Sequence, residues 1–380
     1  MNKILLMGIL PLISSLSAFA QDLDEAAIKN ESLKVSGFAR AKYELKDYSS
    51  NDEKLTFDAL KLSVKYNKED VFGGLEYRCY QFKTLCDFSA LVDAYVGYNF
   101  DSQNTLKFGI QPVVFGPGRF WESNYYGGIV SQVGLADIHN LGLNYSLNFF
   151  DNNNLNLGYF YSDGGRYFGH SRDAARYTSN FVQSEPNDDV QMNLSEKNIL
   201  SISLDRKIEL NHENTNLILG GSFLSSTIED DFSNQDGDRN AWAVFGNLSY
   251  KNLAVMLTVG QQRINGLGKD GLVMGSFDDT YTVANDGNFY TLDIHYKFGQ
   301  FYVFDNISIY GMLSQYKKEN NDNNSSRNIF GVSLIKDKFE IAAEQIIGKN
   351  DPSIGGGKYD LAKGDDAKGN LTKINFLYHF

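Results

Sequence analysis

Leu371-Thr372-Lys373-Ile374-Asn375-Phe376-Leu377-Tyr378-His379-Phe380 closes the chain, and the fold is read outward from it. Thr372, Ile374, Phe376, Tyr378 and Phe380 fall on one face of an extended strand. Lys373, Asn375 and His379 fall on the other, with only Leu377 out of step. Successive side chains of a strand point to opposite faces, so this segment has an apolar side backed by a polar one. A strand standing between lipid and water needs that pattern. A soluble sandwich strand carries it too, so the upstream sequence must separate the two.

The other end argues for export. Lys3, the apolar run 4–16 and Ala18-Phe19-Ala20 before Gln21 make the three parts of a secretory signal peptide cleaved after Ala20. Pro11, Ser14 and Ser15 interrupt the run and no stop-transfer pattern follows, which disfavours a membrane anchor. No later window offers the ~18 apolar residues of a transmembrane helix. A spanning form must therefore be a closed barrel, the shape that satisfies every backbone group without helices. The chain has 27 Phe, 23 Tyr and 35 Gly against 5 Pro, and its mean hydropathy is −0.34. Alternating strands hide their apolar half from any such average. Cleavage would remove Lys3 and no acid, taking the net charge from −12 to −13. That balance lacks the basic stripe that nucleic acid requires. Cys79 and Cys86 bracket one hairpin tip and read as a short-loop disulfide in an oxidising compartment.

Residues 21–33 are polar and acidic, a periplasmic lead-in to a barrel domain over 34–380. Sixteen strands are expected at 34–46, 55–66, 71–82, 88–100, 104–114, 139–149, 154–162, 197–206, 214–225, 239–250, 252–262, 287–298, 300–314, 327–336, 338–348 and 370–380. Short connections, at 67–70, 101–103, 151–153, 207–213, Lys251, Gly299 and Asp337, alternate with longer ones at 115–138, 163–196, 226–238, 263–286, 315–326 and 349–369. The connection 83–87 is short for its kind. Putting the long loops at one end is a habit of outer-membrane barrels, whose periplasmic turns are short and extracellular loops long. Sixteen strands leave room for an aqueous channel, which eight do not. Tyr43, Tyr66, Tyr98, Phe100, Tyr250, Tyr296, Phe298, Tyr378 and Phe380 gather at strand ends, as interfacial girdles do. The fold class read from the sequence is all-β, a 16-stranded antiparallel transmembrane barrel.

The carboxy-terminal strand resembles the terminal signature of Gram-negative outer-membrane proteins, a likeness that implies recognition of Phe380 by the barrel-assembly machinery. Gly37-Phe38-Ala39-Arg40, Asp93-Ala94-Tyr95-Val96-Gly97-Tyr98 and Phe108-Gly109-Ile110-Gln111-Pro112 running into Phe115-Gly116 extend it. Over its mature length the chain is similar to Gram-negative porins, in the broad group that includes phosphate-selective and carbohydrate porins. The resemblance implies a homotrimer of barrels in the outer membrane, in contact with lipid and lipopolysaccharide. It also implies that the third extracellular loop folds into the lumen as a constriction. By this count that loop contains Phe115-Gly116-Pro117-Gly118-Arg119-Phe120-Trp121-Glu122-Ser123-Asn124-Tyr125-Tyr126, a stretch too aromatic to wave in water. Arg119, Trp121, Glu122, Tyr125 and Tyr126 are its candidate pore residues. A loop capping the rim, or packed on a neighbouring subunit, is the competing reading.

Alternation lists the charges the wall presents to that loop. Lys34, Arg40, Lys42, Lys61, Lys65, Arg78 and Lys107 point inward from the first five strands, with Glu44, Glu76 and Asp93 among them. Asp205, Asp293, His295, Glu340, Glu344 and Lys373 follow from later strands. A mostly basic side facing a more acidic one sets a transverse field, and charged faces also set ionic preference. Arg166, Arg172 and Arg176 sit among acids in the fourth long loop and do not make the arginine ladder of a phosphate-selective pore.

Gly266-Leu267-Gly268-Lys269-Asp270-Gly271 spells a dinucleotide fingerprint but precedes no helical pattern. Asn234-Gln235-Asp236-Gly237-Asp238 resembles part of a calcium loop but has no closing glutamate. Asn211-His212 resembles a step of barrel phospholipases, without the companion serine pattern. The expected function is passive diffusion of small hydrophilic solutes, with no cofactor, metal or catalytic residue. A channel selective for anions, sugars or short acids is the alternative, and an outer-membrane hydrolase a weaker one.

Overall fold

The computed structural model describes residues 31–49, 53–210, 215–268, 271–319, 321–355 and 357–380. The segment 1–20 read as a signal peptide, most of the lead-in, and Asn211-His212 lie outside the described residues. The strands are β1 (Ser32–Lys46), β2 (Glu53–Lys68), β3 (Val71–Tyr80), β4 (Phe88–Asn99), β5 (Asn104–Pro112), β6 (His139–Phe149), β7 (Asn153–Asp163), β8 (Asn180–Phe181), β9 (Leu194–Glu209), β10 (Thr215–Asp230), β11 (Gln235–Tyr250), β12 (Leu253–Asn265), β13 (Leu272–Ser276), β14 (Asp279–Val283), β15 (Gly287–Phe301), β16 (Phe304–Lys318), β17 (Ser325–Lys336), β18 (Phe339–Lys349) and β19 (Lys368–His379). One helical turn, α1 (Ile129–Gln132), lies between β5 and β6. All but β8, β13 and β14 form one closed antiparallel barrel of sixteen strands, sealed where β1 meets β19. Phe380 completes the seam by exchanging backbone hydrogen bonds of 3.1 Å with Gly37.

The alternation read from the last strand sets the register. Ala41 pairs with Phe376 and Tyr43 with Ile374, so apolar or small residues of both strands share the outer face. Around the barrel that face carries exposed Leu143, Val244, Leu257, Ile294, Leu313 and Phe376. At one end the strands join through two-residue turns at 69–70, 251–252, 302–303 and 337–338, whose first residues hold φ of 53°, 51°, 53° and 53°. Left-handed residues match the twist of a tight hairpin. Tyr98 and Phe100, Tyr296 and Phe298, and Phe339 and Tyr378 pack ring against ring at this end, with centroids 5.2, 4.9 and 5.1 Å apart.

Two expected connections move. The loop expected at 226–238 shrinks to 231–234, because β10 and β11 continue past the barrel rim as a paired hairpin. The turn expected at Gly299 falls at 302–303 instead. Gly299, at φ 77°, sits where the β15–β16 register shifts, the place of a bulge.

The larger departure is inside. Ile199, Leu224, Ile264, Phe289, Met312 and Ile346 point inward and are buried, although the inner face of a water-filled barrel is polar. They are covered by the long connections. β8, β13 and β14 form a separate three-stranded sheet in the mouth, and Phe181, Leu272, Met274, Tyr281 and Val283 bury with Leu361 of the last loop. Thr282 donates to Lys358 O at 2.5 Å and Ala284 to Leu361 O at 2.8 Å, while Lys358 pairs with Asp188 of the fourth long connection. This cap rests on the segment between β5 and β6, where Tyr281 Oη donates to Gln132 O at 2.9 Å.

Asp360 is a titrating group of the cap. It is buried, its Oδ2 accepts from Gly357 N at 2.7 Å, and its carbonyl takes Lys318 Nζ. Burial pushes its carboxyl up to about 7; the Gly357 amide and Lys318 oppose the rise, and Asp365 adds to it. A carboxyl raised above its unfolded value favours the packed state at low pH, and that advantage is lost as pH climbs from about 4 through about 7. Protease nicking within 350–367, corrected for the protease's own pH profile, should therefore be faster at pH 8 than at pH 5. Asp360→Asn should flatten the dependence.

Candidate functional site

The segment 113–138 leaves β5, crosses the lumen and returns to β6. Val113 N donates to Ile138 O at 2.9 Å and Asp137 N to Gly118 O at 2.8 Å, closing its neck. Gly116 and Gly127 hold φ of 57° and 80°, and rings of Phe120 and Trp121 lie 2.7 and 2.8 Å from where their Cβ atoms would be. Only glycine combines those dihedrals with such close approach.

The bonds that hold the segment come from the wall facing its stems. Asp293 of β15 accepts from Glu122 N at 3.0 Å and Ser123 Oγ at 2.7 Å. Glu344 of β18 accepts from Tyr125 N at 2.8 Å, and Ser314 of β16 from Ile129 N at 3.1 Å. Two fully buried arginines clamp it further. Arg239 of β11 donates through Nη2 to Val133 O and Gly134 O at 2.8 and 3.0 Å, with Glu196 as its carboxylate. Arg327 of β17 donates from Nη1 to Gly127 O at 3.2 Å and forks onto Asp351, both bonds 2.6 Å. Neither arginine is among the expected lumen charges. Each has the parity of the inward residues of its expected strand, Arg239 that of Ala241 and Ala243, and the inventory of charges passed them over.

The predicted loop residues divide accordingly. Tyr126 packs between cations, with Arg327 and Lys373 lying 5.0 and 5.4 Å from its ring centroid. Tyr125 reaches the near wall, 5.9 Å from the Arg40 guanidinium. Trp121 is buried beneath Arg119, whose guanidinium lies 5.0 Å from the indole centroid. Burial, then neighbouring Asp293, raises the Glu122 carboxyl above the usual range.

The wall of β1–β5 is charged, and four of its cations are paired with carboxylates. Arg40 meets Asp58 at 2.5 Å, and Lys42 meets Asp58 at 3.1 Å and Glu44 at 3.0 Å. Lys61 and Arg78 share Glu76, each through a 2.6 Å contact. Asp93 lies 2.7 Å from His139 Nδ1, and Lys107 lies over the rings of Phe72 and Tyr95. Arg40, Lys42, Lys61 and Arg78 of the expected basic face are therefore held in ion pairs. Strict alternation misses Asp58, because the register between β1 and β2 shifts at Arg40/Ala41 and turns Asp58 inward. On the far wall, Asp293 and Glu344 were expected to line water. They are 2% and 1% exposed and serve as anchors beneath the crossing segment. Glu340 is buried too, accepting from Ser333 Oγ at 2.6 Å. Alternation gives the face of a residue but not what covers that face.

Cys79 and Cys86 are joined across the β3–β4 tip, their Cα atoms 4.9 Å apart. Asp87 caps the same tip, accepting from the amides of Phe82, Lys83 and Thr84 at 2.8, 2.7 and 3.0 Å. In the fourth long connection Arg176 is bound to Asp163 and Asp173, and Arg166 to the carbonyls of Gly169 and Ser171. After Gly266-Leu267-Gly268 the next described element is strand β13, and Asn234 is a left-handed turn residue of the β10–β11 hairpin. Among the described residues no three metal-ligating side chains converge.

No family model matches the chain, and no curated protein matches its sequence. Solved structures do resemble it. An anion-selective porin from Comamonas acidovorans superposes with a TM-score of 0.58 at 10% identity, covering 92% of this chain and 100% of that one. OmpF of Salmonella typhi, in complex with daunomycin, gives 0.57 at 12% identity over 93% and 98%. A loop L8 deletion mutant of OmpT, an outer membrane protein of Vibrio cholerae, gives 0.55 at 12% identity over 92% and 99%. At these identities the likeness is one of fold, the closed sixteen-strand barrel.

Proposed function

We propose that the chain is an outer-membrane porin, a passive channel for small hydrophilic solutes and ions. The observation that carries this reading is the barrel's two-sidedness. Apolar side chains cover the outside of a closed sixteen-strand wall, while ion-paired charges line β1–β5 within. Such an exterior is stable only in a bilayer, and charges inside require water. The segment 113–138 narrows the lumen and the cap covers its apolar side, which leaves the strip along Arg40, Lys42, Lys61 and Arg78 as the path. A narrow charged path suits polar solutes and rejects greasy ones.

This reading places the short-turn end in the periplasm and the cap at the cell surface, in contact with lipid and lipopolysaccharide. A homotrimer is its natural assembly, Phe380 its mark for the barrel-assembly machinery, and residues 1–20 its export signal. Transport of this kind requires no cofactor and no catalysis. Vesicles containing the protein should swell in isotonic sugar, faster for small sugars than for large ones. Swelling no faster than protein-free vesicles would contradict the reading.

A further inference from the structure

A second, smaller apolar cluster, separate from the core beneath the cap, sits above the charged strip. Ala59, Tyr80, Phe88, Ala90 and Val92 of the wall bury with Ala175 and Tyr177 of the fourth long connection. The Tyr177 ring lies over Arg78, its centroid 4.9 Å from the guanidinium, so this connection bears directly on a residue of the path. Phe277, in the β13–β14 turn, fills the space between connection and wall. Its ring is 5.3 Å from that of Tyr80, 5.6 Å from Phe88 and 5.6 Å from Tyr177. The turn and the connection are bonded into one unit. Phe277 N donates to Arg176 O at 2.8 Å and Asp278 N to Ala174 O at 3.1 Å, while the Asp278 carboxylate accepts from the amides of His170 and Ser171 at 2.6 and 2.8 Å.

This unit stands on the β3–β4 hairpin. Ser89 N donates to Phe168 O at 3.1 Å, His170 Nε2 lies 3.7 Å from Asp87, and the ring contacts of Phe277 land on Tyr80 and Phe88. The Cys79–Cys86 bridge closes the same hairpin around Tyr80 and Phe82, and Phe82 stacks on Phe88 with centroids 5.5 Å apart. Asp87 already caps the tip through three amides. What the bridge adds is a fixed place for Tyr80 and Phe82 against Phe88, by removing the freedom of the loop that carries them.

We propose that residues 166–177 and Phe277 form a lid over the charged strip, latched by Cys79–Cys86, and that a small dithiol reductant opens it. The proposal rests on the channel reading above and adds its regulation. A thiolate of the reductant attacks Sγ of Cys86, which is half-buried where Cys79 is 2% exposed. The Sγ–Sγ bond breaks, Cys79 leaves as a thiolate and takes up a proton, and a mixed disulfide remains on Cys86. The reductant's second thiolate then displaces Cys86, which is protonated in turn. The bridge has gained two electrons and two protons, both from the dithiol, which departs as a cyclic disulfide. Tyr80 and Phe82 are then free of their closed loop, and the lid loses its footing.

Single-channel recording of the oxidised protein before and after addition of dithiothreitol tests it. Reduction, confirmed by maleimide labelling of both thiols, should raise mean conductance severalfold. Cys79→Ser combined with Cys86→Ser should conduct like the reduced wild type and ignore the reductant. Tyr177→Ala, which removes the ring from Arg78, should conduct more with the bridge intact. The proposal would be overturned, with the channel left in place, by any of three results: conductance unmoved by a confirmed reduction, a folded double serine variant that conducts like the oxidised wild type or responds to dithiothreitol as the wild type does, or a Tyr177→Ala protein as closed as the wild type. Absence of conductance in the oxidised and reduced wild type and in both variants would overturn the channel reading along with it.

Discussion

Arg327→Ala is expected to cost about 3–5 kcal/mol of folding stability, the usual consequence of removing one partner from a buried ion pair. Arg327 and Asp351 are 1% and 0% exposed at the side chain, so the stranded carboxylate cannot turn to water. The same guanidinium ties three parts of the molecule: strand β17, the start of the last long loop at Asp351, and the crossing segment at Gly127 and Tyr126. Loss should therefore loosen the cap and the segment together. Urea titration of the refolded barrel, followed by its heat-modifiable migration on gels, measures the cost. Arg327→Lys, which keeps the charge but not the fork, should recover part of it. A cost below about 1 kcal/mol for alanine would mean that the Ser353 amide, which also donates to Asp351 at 2.9 Å, holds the carboxylate without the arginine, since typical surface pairs are worth no more than that.

The second large effect concerns passage. Replacing residues 119–126 with a short glycine-serine stretch should raise single-channel conductance severalfold. That replacement removes Arg119, Trp121, Glu122, Tyr125 and Tyr126 from the lumen and frees Asp293 and Glu344 from the segment's backbone. The lumen then gains both cross-section and exposed charge. A weaker version, Asp293→Ala with Glu344→Ala, keeps the aromatic side chains but cuts two of the hydrogen-bonded anchors, and should produce noisy, flickering openings. An unchanged conductance in the replacement would mean that this segment does not narrow the path.

The architecture was legible because strand periodicity is local. The last strand shows how far that goes: Thr372, Ile374, Phe376 and Tyr378 turn outward and Lys373, Asn375 and His379 inward, and the strand count follows from repeating the same reading sixteen times. Leu377, out of step in the alternation, is buried on the inner side, as is Leu371 in the core beneath the cap. Those two leucines, with Ile199, Leu224 and Ile346, are the sequence's trace of a dry region inside the barrel. Each looks like a minor irregularity in its own strand, and only the three-dimensional convergence of distant strands makes them a core. The charged site was half legible for a related reason. Arg40, Lys42, Lys61 and Arg78 were found by parity, whereas Asp58 required a bulge that parity cannot express. Asp293 and Glu344 were found with the right orientation and the wrong surroundings, because their partners are backbone amides 171 and 219 residues away in sequence.

Current through a planar bilayer containing the purified, refolded protein tests the central claim most directly. The channel account predicts stepwise, long-lived openings of uniform size, entering in groups of three when trimers insert. A protein that folds, inserts and never conducts would contradict it.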